Sequence, residues 1–351
     1  MIGMGDVLMT TPALELIKKH YPDSEITYCT MSNGARELLK NNPYIDKLVY
    51  YPFMGKNKIA TLLNFIKEQS FRHSHCISFY PSNRLHYNVV SLLTFAAHRI
   101  GHTYLHMNFS QLNWLKNHTV KEDDSLHCVE ENIKLLNFLD ISVSNDSIPP
   151  MTIILDNYEI LDGAAFRNSF SSSKCCIGVH AGTSILKGHI ARRWPKEYFV
   201  ELINSIKDAN FILFGTNEEL EANQFILENT DSSRVLFVKD KKIRDVAAII
   251  KSCDFFLSND SGLMHLAAAV KKPVLSLIGP TNPTFIHPWG VDYRILSITP
   301  DCGPCFYYSP KPLACNDKDQ FHCLKDLKPP IVESAIREFI GLYGANDSAK
   351  S

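Results

Sequence analysis

A chain of 351 residues with a formal net charge of −1 has no basic excess to set against a phosphate backbone, so nucleic acid is not its expected partner. At 45% hydrophobic and 21% charged it reads as globular, long enough for two domains and able to bury a core without disulfides. No apolar run approaches the roughly 20 residues of a spanning helix, and no signal peptide is visible. The ten cysteines are therefore expected as reduced thiols or a metal site, in the cytoplasm.

Strand-like and helical patterns alternate, the sequence form of βαβ units around a parallel sheet. Thr11 and Pro12 predict a helix start as N-cap and first helical residue, and Lys18, Lys19 and His20 close it at the negative end of its dipole. Strands are predicted at 25–30, 47–51 and 76–80, with helices around 35–39 and 58–69. The polar, proline-bearing stretch 144–150 predicts the domain boundary. Beyond it, strands at 175–180, 210–215, 235–238, 255–258 and 274–278 alternate with helices at 196–206, from 218, at 243–251 and at 262–270. A last helix at 331–342 follows the second domain. The expected architecture is α/β: two Rossmann-like domains, 1–148 and 149–330, facing a cleft, then a C-terminal helix and tail, 331–351. Open α/β sheets bind ligands at the carboxyl ends of their strands.

Four segments carry chemistry. Gly3-Met4-Gly5-Asp6 opens like a dinucleotide fingerprint, but no strand precedes it, the third glycine is missing, and Glu25 starts a strand where an acid should end one. The reading left is a tight turn presenting Asp6 ahead of a helix, as a functional carboxylate or as a turn or capping residue. In Asn259-Asp260-Ser261-Gly262-Leu263-Met264-His265 a strand runs into a helix start. That is a ready anion site, with Asp260 as N-cap and His265 as a core histidine the plainer alternative. His180-Ala181-Gly182-Thr183-Ser184, followed by Arg192-Arg193-Trp194-Pro195, supplies the hydroxyls, amides and guanidinium groups a diphosphate needs. Gly215 to Glu219 ends a strand with a glutamate that suits ribose hydroxyls or simply a helix dipole.

In this order the segments resemble the lipopolysaccharide heptosyltransferase family, glycosyltransferase family nine. The family's opening motif is matched from Met4 to Leu14, its H-x-G-T/S loop at His180, and its K-R-W-P segment at Arg192 to Pro195. Its G-x-x-x-E segment falls at Gly215 to Glu219, and N-D-S/T-G-x-x-H-L-A-A-A at Asn259 to Ala269, running on to Gly279-Pro280-Thr281. The resemblance implies a GT-B fold and an inverting, metal-independent transfer of a sugar, heptose from ADP-heptose above all, to a saccharide acceptor such as the lipopolysaccharide core. It makes Asp6 the general base. The leaving diphosphate would be held by Ser261, Gly262, Arg192 and Thr183, with Ser184 in the same loop and the ribose on Glu219. Asp260 and His265 would shape the donor site. Arg192 stands where the family has lysine, and Lys187 lies in a loop that looks longer than usual. The family's first strand would lie just upstream of Met1, so the N-terminal sheet is expected to lack it.

Cys302, Cys305, Cys315 and Cys323, with His322 beside the last, have spacing that suits a tetrahedral structural metal, zinc or iron, or a loop of reduced thiols. Some members of the family are similar in holding a cysteine-bound metal here. The expected partners are a nucleotide-sugar donor and a lipid- or protein-linked saccharide. The resemblance implies a peripheral encounter with the inner membrane. Lys56, Lys58, Lys67 and Arg72 read mainly as a solvated face. The alternatives are a non-catalytic nucleotide-sugar-binding protein and a nucleotide-sugar epimerase.

Overall fold

A computed structural model describes residues 3–53, 55–170, 174–184, 186–306, 313–315, 317, 318 and 320–344, the side chains of 186–188 excepted. The chain divides into two compact units, Met1–Ile154 and Leu155–Ser351. Among the described residues no helix is long and apolar enough to cross a membrane.

The second unit is built on six parallel strands: β6 (Cys175–His180), β7 (Ala209–Gly215), β8 (Val235–Lys239), β9 (Phe255–Asn259), β10 (Val274–Leu277) and β11 (Tyr293–Leu296). Their spatial order, β11-β10-β9-β6-β7-β8, is the doubly wound order in which the sheet's direction of growth reverses between its first and fourth strands. Strands β6, β9 and β10 are buried at every position, which is why they read as continuous apolar runs rather than alternating ones. Helix Pro329–Tyr343, which the sequence sets after the second domain, buries Ala335, Ile336 and Phe339 in the same core as Phe199, Phe211 and Phe255.

The first unit carries two separate parallel sheets among the described residues. One pairs β1 (Thr27–Thr30) with β2 (Lys47–Tyr50), and the other orders β3 (His75–Ile77), β4 (His98–Thr103) and β5 (His118–Lys121). The sequence reading lacks β4, β5 and β11. The Gly3–Asp6 segment also differs from expectation. It is not a turn but the start of a short helix, Met4–Leu8, in which Asp6 takes the third helical position. The Gly3 N–H donates to Asp6 Oδ2 at 2.7 Å, and Val7 anchors the turn against Ala35 and Leu39. The following helix begins at Thr11 with Thr10 as its cap, one residue earlier than predicted.

Candidate functional site

The switch point of the second sheet lies between β6 and β9, and the residues expected to bind the donor gather at the carboxyl ends of those strands. Asn259, fully buried, ties the pieces together. Its Nδ2 donates to the Ala181 carbonyl at 2.8 Å and its Oδ1 accepts the Trp194 N–H at 3.0 Å. The Trp194 indole, itself buried, donates to the Leu327 carbonyl at 2.7 Å. These bonds hold the small-residue loop after β6 and the Arg192–Arg193 pair against the end of β9.

Arg192 Nη1 lies 2.5 Å from Asp260 Oδ2, which also accepts the Thr281 hydroxyl at 2.6 Å. Arg192 Nη2 donates to His189 Nδ1 at 2.7 Å, and the guanidinium lies 5.3 Å from the centre of the Phe306 ring. Burial works against ionising Asp260, but Arg192 and the Thr281 hydroxyl outweigh it and hold the carboxyl below its usual range. Arg192 Nε is buried without a protein partner.

A second chain of bonds crosses the same sheet edge. His180 Nδ1 lies 2.9 Å from Ser261 Oγ, and its Nε2 lies 3.1 Å from Glu219 Oε1. Burial again opposes the charge on Glu219, while hydrogen bonds from His180 and the Thr216 N–H hold its carboxyl low. The ionised carboxylate only accepts, so His180 Nε2–H donates to it. The other ring nitrogen, Nδ1, faces the Ser261 hydroxyl. Gly182 lets the loop lie directly on this pair, since a Cβ there would overlap the Glu219 carboxylate.

Ser261, not Asp260, is the N-cap residue of helix Gly262–Ala269, and with its hydroxyl turned to His180 no side chain caps that end. A helix N-terminus without a side-chain cap is open to negative charge. Thr183 is engaged internally: its Oγ1 donates to the His189 carbonyl at 2.8 Å and accepts from Arg193 Nε at 3.2 Å. Ser184 is exposed. The side chain of Lys187 falls outside the described residues.

His265 is buried, with Nδ1 unpartnered. Burial pushes its pKa down to about 4, against the opposing attraction of Asp260 and with help from His287 and Arg192. It is therefore neutral in the folded protein. Because the native state refuses a proton that the unfolded chain takes up near 6.5, stability is full above that pH and falls as pH drops toward about 4. At about 1.36 kcal/mol per unit the loss is on the order of 3 kcal/mol. Urea unfolding at pH 7, 6 and 5 should show the decline, and His265→Gln should flatten it.

The sequence reading assigns Thr183, Ser184, Arg192, Glu219, Asp260, Ser261, Gly262 and His265 to one donor site, and in the structure they follow the carboxyl ends of β6, β7 and β9. It quotes His180, Asn259 and Thr281 within its motif segments without giving them a connecting role, and it does not single out His189 or Phe306. Asp6 lies in the other unit.

The four cysteines line one small pocket with Gly279, Pro280, Asp317 and His322. The ligand atoms of Cys302, Asp317 and His322 lie within 4.8 Å of one another. The Phe321 N–H donates to Cys315 Sγ at 3.3 Å. Burial, with Cys305, Cys315 and Cys302 nearby, pushes the Cys323 thiol up to about 11. The pocket adjoins the donor cluster: the Cys305 and Phe306 amides both donate to the Pro280 carbonyl at 3.0 Å, next to Thr281.

The model of glycosyltransferase family 9 (heptosyltransferase) matches residues 83–313. The chain belongs to that family. It is a glycosyltransferase. The lipooligosaccharide heptosyltransferase 2 of Campylobacter jejuni is 27% identical over 346 residues, 95% of this chain and 94% of the relative. The lipopolysaccharide heptosyltransferase 2 of Escherichia coli is 29% identical over 136 residues, 37% of this chain and 38% of the relative. Among solved structures, the Escherichia coli ADP-heptose lipopolysaccharide heptosyltransferase II superposes with a TM-score of 0.74 at 20% identity, covering 97% of both chains. A family 9 glycosyltransferase from Veillonella parvula gives 0.76 at 21%, covering 97% of this chain and 95% of that one. The iron-containing dodecameric heptosyltransferase TibC of Escherichia coli gives 0.53 at 12%, over 97% of this chain and 74% of that one. These likenesses establish the GT-B class of fold, two Rossmann-like α/β units.

Proposed function

We propose that the chain transfers heptose from ADP-heptose to a saccharide hydroxyl of a lipopolysaccharide core, with inversion and without a catalytic metal. The observation that carries the donor half is the buried Arg192–Asp260–Thr281 cluster beside the uncapped start of helix Gly262–Ala269. Charge developing on a departing diphosphate would meet a guanidinium and helix amides already fixed in place. In this reading the Asp6 carboxylate takes the acceptor's hydroxyl proton and that oxygen attacks the anomeric carbon. The bond to ADP breaks as the new one forms, and ADP leaves with the electron pair. Glu219, with a hydrogen-bonding lone pair to offer, holds the ribose. The names of the similar proteins support heptose, ADP and the lipopolysaccharide core. The acceptor's lipid anchor would place the enzyme in the cytoplasm, at the inner face of the membrane.

The test is thermal stability with ADP, UDP and GDP. A nucleotide at 100 times its dissociation constant adds about 2.7 kcal/mol. ADP alone is expected to raise the melting temperature, and no response to any nucleotide would sink the donor assignment.

The cysteine pocket is proposed as a structural zinc or iron site. Thiolates and an imidazole suit either metal, and the bond into Cys315 Sγ is the kind a thiolate ligand accepts. Cys302, Cys305, Cys315 and Cys323 would hold the ion, with His322 or Asp317 as substitutes, and its contribution would be folding energy. Because the Cys305 and Phe306 amides hang on Pro280, the metal would brace the Phe306 ring that supports Arg192. Elemental analysis of the purified protein should find about one ion per chain, and a strong chelator should lower both the melting temperature and ADP affinity. An ion-free protein unaffected by chelator would leave the pocket as reduced thiols.

A further inference from the structure

Each strand of the β3-β4-β5 sheet opens with a histidine: His75, His98 and His118. In the parallel register His75 pairs with His98, and His118 pairs with Ile100, two residues along β4 from His98. Registered partners, and residues two apart on a strand, point to the same face. Strand pairing therefore sets all three imidazoles on one face, at the amino-terminal edge of the sheet.

The rings converge there. Those of His75 and His98 stack with centres 4.5 Å apart and planes 16° from parallel, and those of His98 and His118 lie 5.0 Å apart. His98 Nδ1 stands 2.9 Å from His118 Nε2. On one flank Ser74 Oγ lies 2.9 Å from His75 Nδ1, and on the other the Phe138 ring meets that of His118 at 5.2 Å. His75 and His98 are exposed and His118 half-buried, so the row is open to solvent.

Two ring nitrogens in hydrogen-bond contact share one proton, one donating and the other accepting, and a divalent cation can take that proton's place. Imidazole binds zinc at about 2.0–2.1 Å, which sets two nitrogens about 3.4 Å apart in a tetrahedron, so the His98–His118 pair has roughly half an ångström to open. Neighbouring strands about 4.8 Å apart let a third ring reach the same ion, and His75 offers Nε2 because Ser74 engages Nδ1. A hydrogen bond on the far nitrogen is the usual company of a metal-bound histidine, fixing its tautomer and aim. Three imidazoles suit zinc, copper or nickel rather than magnesium or calcium.

We propose that His75, His98 and His118 form a surface site for a divalent transition metal, zinc foremost, with water in the remaining position. The ion would tie together three strands of three, six and four residues. It is distinct from the cysteine pocket in its ligands and in the unit that carries it, and it does not rest on the proposed function.

Cobalt(II), standing in for zinc, tests this because its absorption reports the ligands. Full-length protein dialysed against a chelator should take up a cobalt ion whose visible ligand-field bands grow without thiolate-to-cobalt charge transfer, and zinc should displace it. An ion in the cysteine pocket would show that charge transfer. His98→Gln removes the central ligand at an exposed position and should keep the metal-free melting temperature. It should weaken the uptake at least about tenfold, the smaller loss usual even for a group that only holds a ligand in place. His75→Gln should do the same, whereas His20→Gln, at another exposed histidine of the same unit, should not. Bands that always carry thiolate charge transfer, or that survive His98→Gln, would put the metal in the cysteine pocket and overturn the proposal. Loss in His98→Gln but not in His75→Gln would overturn the three-ligand site. No uptake would overturn it too, leaving the histidines as a stacked row closed by one hydrogen bond.

Discussion

Asp6→Asn should lower sugar transfer by about 10²–10⁴-fold, the usual contribution of a placed general base. The substitution is informative because of what it leaves in place. Asp6 Oδ2 accepts the Gly3 N–H at 2.7 Å, and an asparagine oxygen can accept the same bond. Helix Met4–Leu8 therefore keeps its cap while the proton acceptor is lost. Asp6→Ala removes both, and the missing cap should cost about 0.5–2 kcal/mol of stability in addition. The carboxylate also sets its surroundings. Burial foremost, with Asp6 adding to it, pushes the Tyr28 phenol up to about 12 and raises that of Tyr87 as well, so two neutral hydroxyls stand within reach of its field. Single-turnover kinetics and ADP titration on the same variant separate the possibilities. A large fall in rate with ADP affinity unchanged fits a base in one unit and a donor site in the other. A fall below about tenfold would reduce Asp6 to the capping residue it also is.

Asp6 also shows where sequence reading stops. The motif marks Asp6, but Gly3 and Gly5 suggest a turn, and only the capping bond with Val7's anchorage on Ala35 and Leu39 makes the segment helical. The second unit was legible because β6, β9 and β10 are buried on both faces, so each is a bare apolar run between turn signals. Strands β4, β5 and β11 were not. Their sequences, His-Arg-Ile-Gly-His-Thr, His-Thr-Val-Lys and Tyr-Arg-Ile-Leu, have neither a sustained apolar run nor a long alternation, and pairing rather than pattern makes them strands. At the candidate site, motif segments identify Arg192, Asp260 and Glu219. The role of His180 depends on partners 39 and 81 residues away. Only a register that sets β6 beside β9 brings Ser261 to one ring nitrogen of His180, with Glu219 on the other.

Arg192→Ala should be the most damaging change at the donor site, both to stability and to ADP binding. Arg192 and Asp260 side chains are 11% and 6% exposed, so deleting one leaves the other largely out of water without its counter-charge. Breaking a buried pair in this way costs about 3–5 kcal/mol. Asp260 would keep only the Thr281 hydroxyl. Asp260→Asn should be milder, because the amide oxygen still accepts from Thr281 and Arg192 while the charge to be balanced disappears. The double change, Arg192→Ala with Asp260→Asn, should recover part of the stability lost in Arg192→Ala, with a coupling of about 0.5–3 kcal/mol as expected for residues in contact. Recovery of stability need not restore binding, and that contrast carries the argument. If Arg192 is the group that meets the diphosphate, the double variant folds well and still gives no ADP-dependent rise in melting temperature. If it regains the ADP response, the ion pair is scaffolding alone, and the diphosphate is held by the amides at the start of helix Gly262–Ala269 without it.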